Sequence, residues 1–222
     1  MNEKQNLRYD LLKATRFDVE NAKACYDFIE GENKETTTVM PADGEMADGI
    51  YLMAGTDAEL YTGQVINENT LYTGVGVKLG GKSLVVALDD MTKDEIPLTK
   101  KQGGTRFITE YPEAVADWSG KENTDDMRDI LNEDISLVGN EYIPSLGELY
   151  LILLHIRDIN AALEAVGGTP LSGWYWSSTD YSATYAWYLD LYYGNAGNHT
   201  KAANQFRVRA VSAFLPLTVN LS

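Results

Sequence analysis

Apolar and polar positions follow three different rhythms along this 222-residue chain. In "FDVENAKACYDFIEGEN" (17–33), Val19, Ala22, Tyr26 and Ile29 recur at helical spacing, with Asp18 as N-cap and Gly31 as the stop. The next stretch, "NKETTTVMPADGEMADG", is polar, Thr-rich and broken by Pro41, Gly44 and Gly49, which marks a linker. From Gly49 short strands stand between turns: "IYLMAG", "TGVGVKLGG" and the wholly apolar "SLVVAL" at 83–88. This divides the chain into a helical appendage with linker, 1–46, and one main domain, 47–222.

Two further helices are expected. "ENTDDMRDILNED" starts at Thr124 or Asp125, with acids in its first turn. "PSLGELYLILLHIRDINAALEAVGG" (144–168) has a Ser145/Glu148 capping box and ends at Gly167. Its apolar stripe runs from Leu149 through Ile152, Leu153, Ile156 and Ile159 to Leu163. Strands return after it. In "TYAWYLDL", Tyr185, Trp187, Leu189 and Leu191 point one way, and Ala186, Tyr188, Asp190 and Tyr192 the other. "FRVRAVSAF" (206–214) reads as a second strand. The intervening "YYGNAGNHTKAAN" is aperiodic and reads as a surface loop. Strands, then two helices, then strands, with no βαβ alternation, give an α+β fold.

Composition narrows the functions open to this fold. A net charge of −15 lacks the basic footprint that nucleic acid requires and disfavours an anionic membrane surface. The start "MNEKQNLRYDLLK" has no apolar signal region, and no 18-residue apolar run occurs. The expectation is cytoplasmic synthesis without membrane insertion, with display on a virion or cell surface by another route. Cys25 is the single cysteine, so no internal disulfide or Cys-based zinc cluster can form.

No phosphate loop, dinucleotide fingerprint, nucleophile elbow or HExxH occurs. His155 reads as a core-edge residue of its helix, and His199 as better placed to bind than to catalyse. Asp89, Asp90, Asp94 and Glu95 fit no calcium loop and read as a solvated acidic turn. Arg207 and Arg209 share a strand face and either pair with acids of the fold or bind an anionic ligand. No cofactor or metal site is expected, and no enzyme.

Residues 174–206 stand apart. They hold nine of the chain's 18 Trp and Tyr residues but only three charged ones, Asp180, Asp190 and Lys201. Tyr and Trp supply rigid contact area at small entropic cost, and Ser, Gly and Asn supply adaptable hydrogen bonds, as in a paratope. Trp174, Trp176 and Trp187 are expected to fill the core; Tyr192 and Tyr193 are not.

At "YIPSLGEL", "INAALEAVGGTPLSG", "WYWSSTDYSATYAWYLDL" and "FRVRAVSAF" the chain resembles a bacterial and phage domain of the C-type-lectin-like group, over about residues 49–215. Its relatives include the C-terminal domain of collagen-like adhesins and the variable proteins of diversity-generating retroelements. The resemblance implies a C-type-lectin-like fold, a twisted antiparallel sheet with two main helices, and a ligand surface on the C-terminal loops and strands. In retroelement targets, Asn codons randomised at adenine can yield Asn, Tyr, Asp, His, Ser, Thr, Ala, Gly or Phe but not Lys, Glu, Met or Trp. Tyr192, Tyr193, Asn195, Asn198, His199, Thr200, Asn204 and Phe206 are all permitted outcomes, whereas Trp174, Trp176, Trp187 and Lys201 would be scaffold. With Tyr181, Tyr185 and Asp190 these eight make up the expected ligand-binding set.

The calcium–sugar motifs of animal C-type lectins are missing, and the formylglycine-generating enzymes, of similar fold, need active-site cysteines, whereas Cys25 lies outside the domain. The expected function is therefore non-catalytic: a receptor-binding or adhesin module that engages a protein or glycan on a cell surface. Its rivals are a structural subunit of a phage fibre or surface appendage, and an enzyme working in the same cleft. The N-terminal helix must bury its stripe on its own domain or on a second copy, the latter giving a homo-oligomer.

Overall fold

The structure is a computed structural model and describes residues 46–55, 57–67 and 69–214. The expected helix at 17–31, Cys25 and all of the appendage except Met46 lie outside those residues. The described chain is α+β, with antiparallel strands in two sheets.

The first sheet has the order β2-β1-β3-β4-β8, from β1 (Gly49–Ala54), β2 (Asp57–Leu60), β3 (Gly74–Leu79), β4 (Lys82–Ala87) and β8 (Val211–Ser212). β1, β3 and β4 are the three apolar runs read from the sequence. The second sheet has the order β5-β6-β7, from β5 (Trp174–Asp180), β6 (Tyr185–Asp190) and β7 (Ala196–Thr200). Four helices lie between the sheets in sequence: α1 (Tyr111–Val115), α2 (Gly120–Met127), α3 (Leu146–Leu154) and α4 (Ile156–Ala165).

The main core is a sandwich. Ile50, Leu52, Val75, Val77, Leu84 and Val86 face it from the first sheet, and Leu149, Ile152, Ile159 and Leu163 from α3 and α4. Tyr175, Trp187 and Leu189 enter it from the second sheet. The opposite face of that sheet is covered as well, by a smaller core of Trp176, Ala186, Phe206 and Val208 packed on Ile96, Met127 and Ile143. Covered faces on both sides explain why Tyr175 and Trp176 of β5 and Ala186 to Leu189 of β6 do not alternate apolar with polar. A third cluster, Tyr51, Met53, Val85 and Phe214, sits on the outer face of the first sheet.

Four expectations are corrected. The helix of 144–168 keeps its capping box at Ser145 and Glu148, and Gly167 just beyond its end has φ 80°. It breaks, however, at His155, whose φ of −112° is not helical. The second helix starts at Gly120, not at Thr124 or Asp125, because Thr124 turns its hydroxyl inward to the carbonyls of Gly120 and Ile143. The segment 206–214 is not one strand. Phe206 bridges Ile96, Arg207 bridges Tyr175, and only Val211 and Ser212 join β4, because the segment crosses from one sheet to the other. Within 192–204, residues 196–200 form β7, not a loop. Their strand comes from pairing with β6, which a run of Ala, Gly, Asn, His and Thr does not announce.

The crossing segment is anchored by charge. Arg209, fully buried, donates to Asp90 at 2.8 Å, to the carbonyls of Ala87 and Leu88, and to that of Thr169. Arg207 reaches the other oxygen of Asp90 at 3.1 Å. Both arginines thus pair with an acid of the fold. Asp90 is correspondingly no part of a solvated turn, while its neighbour Asp89 stays exposed and accepts from Thr169.

Candidate binding surface

The second sheet sits where the two cores meet, and its register sorts the aromatic stretch into faces. Trp174 is opposite Asp190, Trp176 opposite Tyr188, Tyr188 opposite Gly197 and Ala186 opposite His199, so these share one face. Tyr185, Trp187, Asn198 and Thr200 share the other. On the first face Trp174 stacks on Tyr188 at 5.3 Å between ring centroids, with planes 10° apart, and Tyr188 stacks in turn near His199. Tyr188 can lie down there because position 197 is glycine: a Cβ at 197 would sit 2.6 Å from the tyrosine oxygen.

The β6–β7 turn is built on one carboxylate. Asp190 Oδ1 accepts from the backbone N–H of Tyr192 at 2.8 Å and of Tyr193 at 3.3 Å. Its Oδ2 accepts from the indole Nε1 of Trp174 at 2.8 Å. The turn closes through Asp190 N–H to the Asn195 carbonyl and Gly194 N–H to the Asp190 carbonyl. Tyr192 and Tyr193 then project from a fixed backbone, edge to face at 4.6 Å, 74% and 66% exposed.

At the opposite end of the sheet Lys201 closes the structure. Its fully buried ammonium lies 2.7 Å from both oxygens of Asp180 and 2.7 Å from the Gly103 carbonyl. Burial pushes the Asp180 carboxyl up to about 6, against the pull of Lys201. A second buried carboxylate, Asp117, holds the start of α3 to β5: it accepts from Thr179, Asn123 and Arg106, and Thr179 accepts from Leu146 N–H. Burial alone would raise the Asp117 pKa, but the bonds from Thr179, Arg106 and Asn123 prevail and hold it below the usual range.

The expected ligand set therefore falls into groups and not into one patch. Tyr192, Tyr193 and Asn195 form the exposed turn. Tyr185, Asn198 and Thr200 lie on one face, with Tyr181 packed against Tyr185 and Trp187, and the Thr200 hydroxyl bonded to Asn204. His199 lies on the other. Two members are corrected. Asp190 is buried because it organises the turn, and Phe206 is buried among Trp174, Trp176 and Tyr188. Trp176 and Trp187 are core residues as expected, each with its Nε1 on a backbone carbonyl.

Trp174 is the reverse correction. It is 42% exposed, at the end of an outer strand of the sheet, so half of its indole faces solvent beside the tyrosine turn. Neither Trp174 nor Tyr188 was in the expected set. The signal for Trp174 was its place directly after Ser172 and Gly173, where a strand begins.

All three charged residues of 174–206 are buried: Asp180 and Lys201 against each other, Asp190 under the turn. The exposed part of this sheet thus presents rings, amides, hydroxyls and the His199 imidazole, and no carboxylate or ammonium, in a chain of net charge −15. Among the described residues no three His, Cys, Asp or Glu side chains converge as metal ligands, and no helix is long and apolar enough to cross a membrane. No protein-family model, curated protein or solved structure matches the chain.

Proposed function

We propose that the chain is a non-catalytic binding module of C-type-lectin-like fold, acting as a receptor-binding or adhesin protein. Its ligand is a protein or glycan on a cell surface. The contact is made by Tyr192, Tyr193 and Asn195 at the β6–β7 turn, extended by Trp174 and His199, with Tyr181, Tyr185, Asn198, Thr200 and Asn204 at its margin. In this reading the turn and β7 are the positions that a diversity-generating retroelement would vary.

One observation carries the proposal: an aromatic and amide surface from which every ionised side chain of its own sequence has been withdrawn. Interface centres are depleted of charge and enriched in Tyr and Trp, while ordinary surfaces are not. Here the tyrosines stand on a backbone fixed by Asp190, so little order is lost when they are covered.

The test is binding of labelled full-length protein to intact bacterial cells and to glycan and surface-protein arrays. A saturable ligand should appear, and Tyr192→Ala and Tyr193→Ala should each weaken it at least about 30-fold, since aromatic anchors carry about 2 kcal/mol or more each. Binding that ignores both substitutions would sink the proposal. Assembly into fibres without any such ligand would favour a structural subunit.

A further inference from the structure

The break at His155 interrupts a helix at a residue that is neither Pro nor Gly, so its cause lies in the surroundings. His155 lines a cleft of about 580 Å³ between the first turns of α4, the start of β1, the end of β3 and the turn after β2. That volume is within the range of small-molecule sites, roughly 300–1,000 Å³. Ile50, Leu60 and Leu79 give the cleft apolar walls.

Its polar groups are few and uneven in charge. Lys78 Nζ lies 3.2 Å from Asp48 Oδ1, and Asp48 Oδ2 also accepts from Gly80 N–H, so this pair is internally balanced. Burial holds His155 below its usual pKa, leaving the imidazole neutral at pH 7. Asp158, exposed on the first turn of α4, has no cation partner among the described residues. Among the described residues the cleft therefore keeps one uncompensated carboxylate beside apolar walls. The chain's charge of −15 raises the concentration of cations around it.

We propose that this cleft is a binding site for a small organic cation, a primary ammonium on an apolar body. The ammonium is held by Asp158 and the body lies on Ile50, Leu60 and Leu79. The site shares no residue with the β5–β7 surface and does not depend on the function proposed for it.

Hexylammonium is the probe, with hexanol and hexanoate for comparison, titrated calorimetrically into the full-length protein at about 150 mM salt, where long-range attraction to an acidic surface is screened. Hexylammonium should bind at one site with a Kd on the order of 0.1–1 mM, as suits so few atoms. Hexanoate should not bind. Asp158→Asn should weaken the ammonium about tenfold or more and leave hexanol unchanged; Ala161→Phe, which fills the cleft from α4, should abolish both. Both positions are exposed, so the melting temperature without ligand should stay unchanged. Methyl NMR shifts on the unsubstituted protein should be confined to Ile50, Leu60, Leu79 and Ala161. No binding at 10 mM probe, equal affinity for Asp158→Asn, or undiminished binding to Ala161→Phe would each overturn the site.

Discussion

The exposed rings and the buried charges of the second sheet should answer mutation in opposite ways. Tyr192 and Tyr193 touch each other and solvent, so replacing either by Ala should change stability by no more than about 0.5 kcal/mol. Trp187 fills the main core and donates to the Ile108 carbonyl, so Trp187→Ala should cost about 3–5 kcal/mol. Thermal melts of the three variants decide; a tyrosine as costly as Trp187 would make it a core residue. Lys201→Met should cost about 3–5 kcal/mol at pH 7–8, because it strands the Asp180 carboxylate in a dry site. The pH dependence has a definite sign. Folded Asp180 titrates at about 6, above the unfolded value near 3.9, so its protonated form favours the native state. Its contribution is fully present below pH 4 and lost as pH rises through 6. Lys201→Met should therefore recover part of its loss between pH 7 and pH 5, and Asp180→Leu combined with Lys201→Met should melt close to the unsubstituted protein. Melts of both variants across that range would expose a cost that ignores pH.

At the scale of elements, β7 depends on its neighbour more than on its own sequence. Valine suits strands, yet Gly197→Val should destabilise by about 1–3 kcal/mol, because its side chain would displace Tyr188 from Trp174 and Phe206. A red-shifted Trp174 emission in this variant would report the lost stack, and unchanged emission with unchanged melting would refute it. The junction of α3 with β5 has its own pH signature, opposite to that of Asp180. Asp117 is held below its unfolded pKa, so its stabilisation is present above about pH 4 and lost as pH falls through the folded value. Asp117→Asn should cost about 1–3 kcal/mol at pH 7, a gap that narrows below pH 4 in denaturant titrations. These cases also mark what the sequence makes legible. β1, β3, β4 and the Ser145 capping box are local patterns and stand where the periodicity puts them. The pairing of β7, the burial of Lys201 and the exposure of Trp174 depend on partners 7 to 98 residues away. Periodicity cannot register such contacts, and the candidate surface is made of them.

At the scale of the molecule, the contribution of residues 1–45 is measured by removing them. The main core draws on both sheets and on α3 and α4, and the smaller one closes under Phe206. Met46 is where the described chain begins to contribute, packing on Tyr51, Met53, Val85 and Phe214 at the back of the first sheet. A chain starting at Met46 keeps all of these contacts, whereas one starting later loses the methionine. The Met46 chain should therefore unfold in one cooperative transition, with a melting temperature within a few degrees of the full protein's. A change of about 1 kcal/mol moves a domain of this size by roughly 2–4 °C. Light scattering on the same pair addresses the apolar stripe of Val19, Ala22, Tyr26 and Ile29. If that stripe is covered by a second copy, the full chain has twice the monomer mass and the Met46 chain has one. Equal monomer masses with an unchanged melt exclude self-association through the appendage. Equal masses with a melt lowered by 10 °C or more would instead place the stripe on its own domain, with the described core less self-sufficient than its contacts indicate.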